Sequence, residues 1–249
     1  MRMTAYDRGM RGSLSDLVEG DAPAPVRISR VWWVVSALVV LLLVALLGAV
    51  IFYREADKPF GFELQWMNEL VESRKPYFTG PALFLDWLGG GSVSTSVVPP
   101  IVIAGLVLWR RRWAALYYLC ATVTSAVVVF VIKNLVGRPR PDEILVTPDF
   151  GSFPSGHSAN AAVTAAALCI IFGRTWLWIA GSVYTLVMML SRTYLGAHWI
   201  SDTVGGLLVG AGVAVMLWAL FAHRLYSERR LPHPPVWVRA DHRDSARSR

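Results

Sequence analysis

The sequence has few charged residues and few cysteines, and both facts exclude particular classes of protein. Of its 249 residues, 16% are charged and 55% are hydrophobic, whereas an ordinary soluble domain carries about 25% charged residues. Such a composition excludes an ordinary soluble globular protein and a disordered chain. The two cysteines, Cys120 and Cys169, lie inside apolar runs, which excludes a disulfide scaffold and a metal site built from four thiolates.

The sequence instead contains several long runs of apolar residues. A bilayer core of about 30 Å is crossed by about 20 helical residues. The runs therefore predict an all-α membrane protein, a bundle of six transmembrane helices that occupies residues 31–222. The predicted spans are 31–53, 92–109, 113–132, 158–172, 175–190 and 200–221.

Polar segments flank and interrupt these runs. Residues 1–30 are predicted to be a flexible tail, and residues 223–249 a basic tail. The first tail is not a cleavable signal peptide, because the apolar run after it starts too late and is too long. Residues 54–91 form an outer segment whose apolar residues recur at helical spacing, which predicts either an interfacial helix or a helix packed over the bundle. The glycines at 89–91 predict a loop or hinge.

Basic residues are distributed unevenly around the predicted spans. The formal net charge is +7, and sixteen of the 24 Lys and Arg residues fall on the side of the bundle that carries both tails. Since cytoplasmic segments collect Lys and Arg, both tails are predicted to be cytoplasmic. The membrane therefore accounts for the basic composition, and no nucleic-acid partner is expected.

The last predicted span contains a pair of glycines at G-x-x-x-G spacing, Gly206 and Gly210. In a membrane helix, this spacing lets a neighbouring backbone approach closely. We expect the pair to serve packing inside the bundle rather than dimerisation.

Ionisable residues beside membrane helices are costly and point to function, and three clusters of them lie at the predicted outer ends of spans. In the first cluster, Lys133 precedes an Arg-Pro-Arg-Pro strip, residues 138–141, whose second arginine is Arg140. The prolines end the third helix and hold the arginine side chains in fixed directions. Taken alone, the cluster could also be a basic flank of a membrane helix.

The second cluster, residues 154–158, precedes the fourth span. Ser155 and Gly156 offer a hydroxyl and free backbone N–H groups at a helix start, where phosphate groups bind. His157 adds a side chain that exchanges protons near neutral pH. The plain alternative is a helix cap followed by an interfacial histidine.

The third cluster joins the fifth and sixth spans and contains Arg192, His198 and Asp202. Because His198 and Asp202 are four residues apart, they share one face of a helix. The carboxylate could then accept the Nδ1–H of His198 and leave Nε2 free as a nucleophile or base. The plain alternative is a capping histidine with an unrelated aspartate nearby.

Together, the clusters predict a phosphate site. Lys133, Arg140 and Arg192 supply three positive charges, and Ser155 and Gly156 supply neutral donors, so a phosphate dianion would be balanced and hydrogen-bonded. Positioning and charge stabilisation of this kind are what phosphoryl transfer requires.

The same residues resemble the type-2 phosphatidic acid phosphatase superfamily, whose fold is shared with vanadium haloperoxidases. The signature K-x6-R-P, P-S-G-H and S-R-x5-H-x3-D is matched in order and spacing over residues 133–202. The resemblance implies that His198 is the nucleophile and forms a phospho-histidine, that Asp202 orients it, and that His157 is the general acid. It implies no metal and no cofactor. The residues that it implies for binding the phosphoryl oxygens are Lys133, Arg140, Ser155, Gly156 and Arg192.

The sequence therefore predicts a metal-independent lipid phosphate phosphatase in the plasma (inner) membrane of a bacterium, with its active site at the extracytoplasmic end. Its expected partners are a lipid phosphate substrate and the bilayer. The resemblance implies undecaprenyl diphosphate, phosphatidylglycerol phosphate and phosphatidate as candidate substrates, and the sequence favours none of them. The alternatives are a lipid phosphotransferase on the same scaffold and an anion transporter or channel lined by the basic residues. Arg138 lies outside the signature, at a position that invites a contact with substrate phosphate.

Overall fold

The computed structural model describes residues 30–54, 59–147, 149–230 and Val236, so the predicted first tail lies almost wholly outside the described residues. The predicted start of the basic tail at residue 223 is wrong, because the last helix continues to Arg229. The chain divides into two units, residues 1–32 and 33–249. Every regular element in the described ranges is a helix, which confirms the all-α prediction. The helices are α1 (Arg30–Tyr53), α2 (Gly61–Ser73), α3 (Pro76–Gly89), α4 (Gly91–Ser96), α5 (Val98–Leu108), α6 (Arg112–Val136), α7 (Gly156–Phe172), α8 (Thr175–Tyr194) and α9 (Ile200–Arg229).

Among the helices of the described ranges, three (α1, α6 and α9) are long and apolar enough to cross a membrane, and α5 and α7 are shorter apolar helices. The prediction of one continuous span over residues 92–109 is wrong, because the structure has two helices there, α4 and α5, which meet at Val97. Pro99 and Pro100 explain the break. A proline ring clashes with the preceding turn of a helix interior but fits the first turn, which is where both prolines lie in α5.

The predicted outer segment contains two helices, α2 and α3, rather than one. In α2, Phe62 is exposed, whereas Glu63 and Met67 are buried, so an acidic residue faces the interior. Of the loop or hinge predicted at residues 89–91, the loop is wrong: Gly90 alone separates α3 from α4, with an extended backbone. A side chain does not fit at this position, because a Cβ on Gly90 would lie 2.3 Å from Nε2 of His157.

The site rests on a core formed by α6, α7 and α9, in which Tyr117, Ala167 and Ala214 are fully buried. Gly206 and Gly210 bring α9 against α7: added Cβ atoms would lie 2.3 Å from the carbonyl oxygen of Ser155 and 2.2 Å from that of Ala159. The prediction that these glycines pack within the bundle is confirmed. Their close approach sets the start of α7 beside the start of α9.

Candidate active site

The start of α7 carries the Pro-Ser-Gly-His sequence and is fixed by Ser155. The Ser155 hydroxyl caps the helix by accepting the N–H of Ser158 at 3.4 Å. The backbone N–H of Ser155 donates to the carbonyl oxygen of Asp202 at 2.8 Å, which ties α7 to α9. Ser155 is fully buried. The hydroxyl of Ser155 therefore caps α7, and the backbone N–H groups that follow Ser155 can donate to an anion.

The end of α6 supplies two cations. Lys133 lies in the last turn of α6, and Gly137, with φ of 59°, ends the helix and turns the chain toward Arg140. Lys133 Nζ lies 2.7 Å from Oδ2 of Asp149, and Arg140 pairs with Oδ1 of the same carboxylate. Burial acts to raise the pKa of Asp149, but the hydrogen bond from Lys133 and the charges of Lys133 and Arg140 lower it below its usual value. Asp149 is therefore ionised at neutral pH.

His198 is buried in the turn between α8 and α9. Its Nδ1 lies 2.8 Å from the carbonyl oxygen of Ser152, and its Nε2 lies 3.3 Å from Nη1 of Arg140. A carbonyl oxygen can only accept, so Nδ1 carries the proton and Nε2 carries the lone pair. Burial, together with the charges of Arg140, Arg192 and Lys133, holds the pKa of His198 well below its usual value. The ring is neutral, and the lone pair of Nε2 faces Nη1 of Arg140.

Asp202 does not make the predicted bond to His198. Its Oδ2 lies 3.7 Å from Nδ1 of His198, which is too long for a hydrogen bond, and accepts the N–H of Trp199 at 2.8 Å instead. The prediction of a direct bond is wrong because α9 begins at Ile200. His198 precedes the helix, so the four-residue spacing does not place the two side chains on one helical face.

His157 and Arg192 meet at a second carboxylate, Asp86 of α3. Nε2 of His157 lies 3.3 Å from Oδ1 of Asp86 and 3.2 Å from its carbonyl oxygen, and Arg192 donates to the same Oδ1. The hydrogen bond from His157 and the positive charge of Arg192 lower the pKa of Asp86 to about 2, against the effect of burial. Nε of Arg192 is buried and has no partner among the described residues, so this guanidinium retains a donor.

Several of these residues line a cavity of about 730 Å³. Five of the eight predicted site residues line it, and three of them, Lys133, Arg140 and Arg192, form a cationic nest. Ser155, His198 and Asp202 are buried and do not line it. Apolar side chains, including Val93, Ala126, Val129, Phe130 and Val163, supply much of the remaining lining, and polar side chains such as Ser94, Thr122, Ser125 and Asn160 lie among them. The cavity thus joins an anion site to a groove that suits a hydrocarbon chain.

Sequence reasoning missed Asp86 and Asp149, although both line the cavity. The partners of Asp86 are 71 and 106 residues away along the chain, so no local spacing could reveal them. Asp149 is nine residues from Arg140, in a loop without a motif. Arg138, for which the sequence suggested a phosphate contact, does not line the cavity and instead pairs with Glu63 and Asp202.

Side chains that could bind a metal ion do not come together in the part of the chain that the structure describes. Within residues 30–54, 59–147 and 149–230, no three His, Cys, Asp or Glu side chains form a group that could hold one. The cavity presents three cations, which suit an anionic ligand. Metal independence stays a prediction.

Comparison with known proteins identifies the family. The model of the PAP2 superfamily matches residues 114–226. Phosphatidylglycerophosphatase B of Bacillus subtilis is 31% identical over 157 residues, which cover 58% of this chain and 70% of that protein. The chain belongs to the PAP2 superfamily. The resemblance inferred from the three motifs is therefore confirmed.

Further PAP2 relatives cover most of the chain. An undecaprenyl-diphosphatase of Sulfolobus acidocaldarius is 24% identical over 185 residues, which cover 72% of this chain and 87% of that protein. The crystal structure of a transmembrane PAP2 type phosphatidylglycerolphosphate phosphatase from Bacillus subtilis superimposes with a TM-score of 0.62 at 25% identity, over 80% of this chain and 98% of that chain. The predicted enzyme class, a lipid phosphate phosphatase, is confirmed, and the apolar helices agree with a membrane protein.

Proposed function

We propose that the protein removes phosphate from a lipid phosphate or lipid diphosphate at the outer face of the plasma membrane, through a phospho-histidine at His198. One observation carries this proposal: the cavity joins the cationic nest to an apolar groove. A phosphate head group matches the first part, and a hydrocarbon tail matches the second. A water-soluble phosphate would leave the groove without a partner.

In the first step, the nest holds the phosphoryl oxygens, and Nε2 of His198 attacks phosphorus with its lone pair. A P–N bond forms while the P–O bond to the lipid breaks. The electron pair of that bond goes to the leaving oxygen, which takes a proton from His157. Arg140 supports the attack directly, because its Nη1 lies 3.3 Å from the attacking nitrogen and can stabilise charge on phosphorus.

In the second step, water hydrolyses the phospho-histidine. His157 takes a proton from the water while the water oxygen attacks phosphorus. The P–N bond breaks, its electrons return to Nε2 of His198, and inorganic phosphate leaves. The Nδ1–H bond to the carbonyl of Ser152 keeps the ring in the same tautomer throughout.

The membrane arrangement in this proposal has six spans, with both tails in the cytoplasm and the site at the extracytoplasmic end. The distribution of Lys and Arg supports this orientation. Lys133, His157 and His198 all lie at ends of helices on one side of α6, α7 and α9, so the proposed orientation turns the whole site outward. Head groups of the outer leaflet would reach a cavity at that depth.

The relatives named above act on phosphatidylglycerophosphate and on undecaprenyl diphosphate, and both lipid classes belong to the proposed substrate range, together with phosphatidate. Purified protein in detergent should release inorganic phosphate from such a panel, and should do so in EDTA. His198→Ala should abolish release, whereas His223→Ala, at an exposed histidine of α9, should leave it unchanged. Full turnover by His198→Ala would refute the mechanism.

A further inference from the structure

A second group of charged side chains lies buried behind His198, away from the cavity. It comprises Glu63 of α2, Arg138 of the strip after α6, and Asp202 of α9, which are 1%, 6% and 0% exposed. None of the three lines the cavity. Charged side chains are rarely buried so completely unless they are paired, and this group brings together three distant parts of the chain.

Glu63 uses both of its carboxylate oxygens. Oε2 accepts from Nη2 of Arg138 at 2.7 Å and from the N–H of Phe60 at 3.0 Å. Oε1 accepts from the N–H and the hydroxyl of Ser201 at 3.0 and 2.6 Å. Glu63 therefore binds the guanidinium and also satisfies a free N–H group in the first turn of α9.

Arg138 links this carboxylate to Asp202. Its Nη1 donates to Oδ1 of Asp202 at 2.6 Å and to the hydroxyl of Ser201 at 2.8 Å. The guanidinium also lies 5.7 Å from the centre of the Trp199 ring. The planar guanidinium suits this task, because it reaches two carboxylates in fixed directions at once.

The group holds His198 from two sides. On one side, Asp202 accepts the N–H of Trp199, the residue that follows His198. On the other side, the carbonyl oxygen of Arg138 accepts the N–H of Ser152 at 2.8 Å, and the carbonyl oxygen of Ser152 accepts Nδ1–H of His198. A displacement of Arg138 would therefore move both the turn that carries His198 and the acceptor that sets its tautomer.

We propose that Glu63 and Arg138 are positioning residues, which fix Asp202 and the turn that presents Nε2 of His198 to phosphorus. The proposal rests on the proposed function, since it takes His198 as the nucleophile. Glu63 lies outside the residues that the family model matches, and no motif assigns it a role. Glu63 and Asp202 place two carboxylates against the single guanidinium of Arg138, so the group contributes negative charge. That charge lies behind the ring of His198, which becomes positive when it is phosphorylated.

The test compares Glu63→Gln with Glu69→Gln, a matched change at an exposed glutamate of the same helix. Misplacement of a nucleophile lowers the rate of chemistry, so kcat of Glu63→Gln should fall about 10- to 100-fold. KM and the inhibition constant of inorganic phosphate should stay within about twofold, because the nest is untouched. Glu69→Gln should match the wild type in all three constants.

Two results would overturn the proposal. One is a kcat of Glu63→Gln equal to that of the wild type, and the other is a fall of kcat in step with weaker phosphate inhibition, which indicates a generally loosened fold. If Glu63→Gln does not fold in detergent, Glu63→Asp is measured by the same criteria, because a carboxylate one methylene shorter keeps the charge but shifts its position. His198→Ala is measured in parallel. If His198→Ala remains active, the proposed function fails. If His198→Ala is inactive and Glu63→Gln is fully active, only the positioning role is overturned.

Discussion

At the scale of single residues, the site is set by what surrounds His198. The ring is buried and faces the positive charge of Arg140, Arg192 and Lys133, and these influences hold its pKa well below the usual value. A neutral imidazole is the reactive form of a histidine nucleophile. In the proposed mechanism, the cations that would bind substrate phosphate therefore also keep the nucleophile neutral.

This arrangement predicts the pH dependence of the reaction. Protonation of His198 would stop the attack, and because its pKa is lowered, that loss should occur well below pH 6.5. After correction for titration of the substrate phosphate, followed by phosphorus NMR, kcat/KM should not fall between pH 7.5 and pH 6, because protonation of His157, the proposed general acid, only favours the first step. A histidine of ordinary pKa would instead lose about tenfold between pH 7.5 and 5.5, and such a loss would contradict the account.

Asp149 should compete with phosphate for two of the cations, because its carboxylate pairs with both Lys133 and Arg140. Asp149→Asn removes that negative charge, so inorganic phosphate should inhibit about three- to tenfold more strongly in assays of lipid hydrolysis. Asp142→Asn, an exposed change in the same loop, is the control and should not alter inhibition. Equal inhibition constants for the wild type and Asp149→Asn would show that the carboxylate does not occupy the phosphate position.

The site residues that belong to the three motifs could be predicted from the sequence. The residues that contact them only in the folded chain could not. Lys133, Arg140, His157 and Arg192 were found through fixed local spacing, and they line one cavity. Glu63 contacts Ser201 across 138 residues, and such a contact leaves no periodic signal in one sequence. Even within a motif, the bonding partner of His198 depended on where α9 begins, which hydropathy does not fix.

At the scale of helices, the position of the site depends on how closely α7 and α9 approach. Hydropathy located α1 and α6 well because each is a long, uninterrupted apolar run, but it ended the last span at residue 221, whereas α9 continues to Arg229. It failed at residues 92–109, where two prolines divide an equally apolar run, and it could not show that α2 turns Glu63 inward. Helix contacts depend on small residues and on single buried polar groups. Hydropathy averaged over a window of residues does not show either.

The contact between α7 and α9 should not tolerate a side chain at Gly210. A Cβ there would lie 2.2 Å from the carbonyl oxygen of Ala159 and 2.8 Å from the backbone nitrogen of Val163, so Gly210→Ala must separate the helices. We expect a loss of about 1–3 kcal/mol in stability, measured as a lower unfolding temperature in detergent. Gly80→Ala is the matched control, because a Cβ on Gly80 would meet nothing within 4 Å. Equal unfolding temperatures for the two variants would refute this packing.

At the scale of the whole molecule, the proposal places every group that acts on phosphate at one end of the helices and requires that end to face outward. The loop that contains Asp142 lies at that end, and Arg112, at the start of α6, lies at the opposite end. The two ends of α6 must therefore differ in their access to reagents outside the cell.

This orientation predicts the labelling of introduced cysteines in intact cells. Asp142→Cys should react with a maleimide that cannot cross membranes, and Arg112→Cys should react only after the cells are opened. Both positions are exposed, so burial does not bias the comparison. The reverse pattern would place the site in the cytoplasm and exclude an outer-leaflet substrate.

The most direct measurement of the central claim is a rapid-quench experiment with a lipid substrate labelled in its phosphate. Within the first turnover, the wild-type protein should carry an acid-labile, alkali-stable phosphoryl group, and mass spectrometry should locate it on His198. His198→Ala should carry none and should release no phosphate. Release of phosphate with no labelled protein at any quench time, or a label on another residue, would contradict the account.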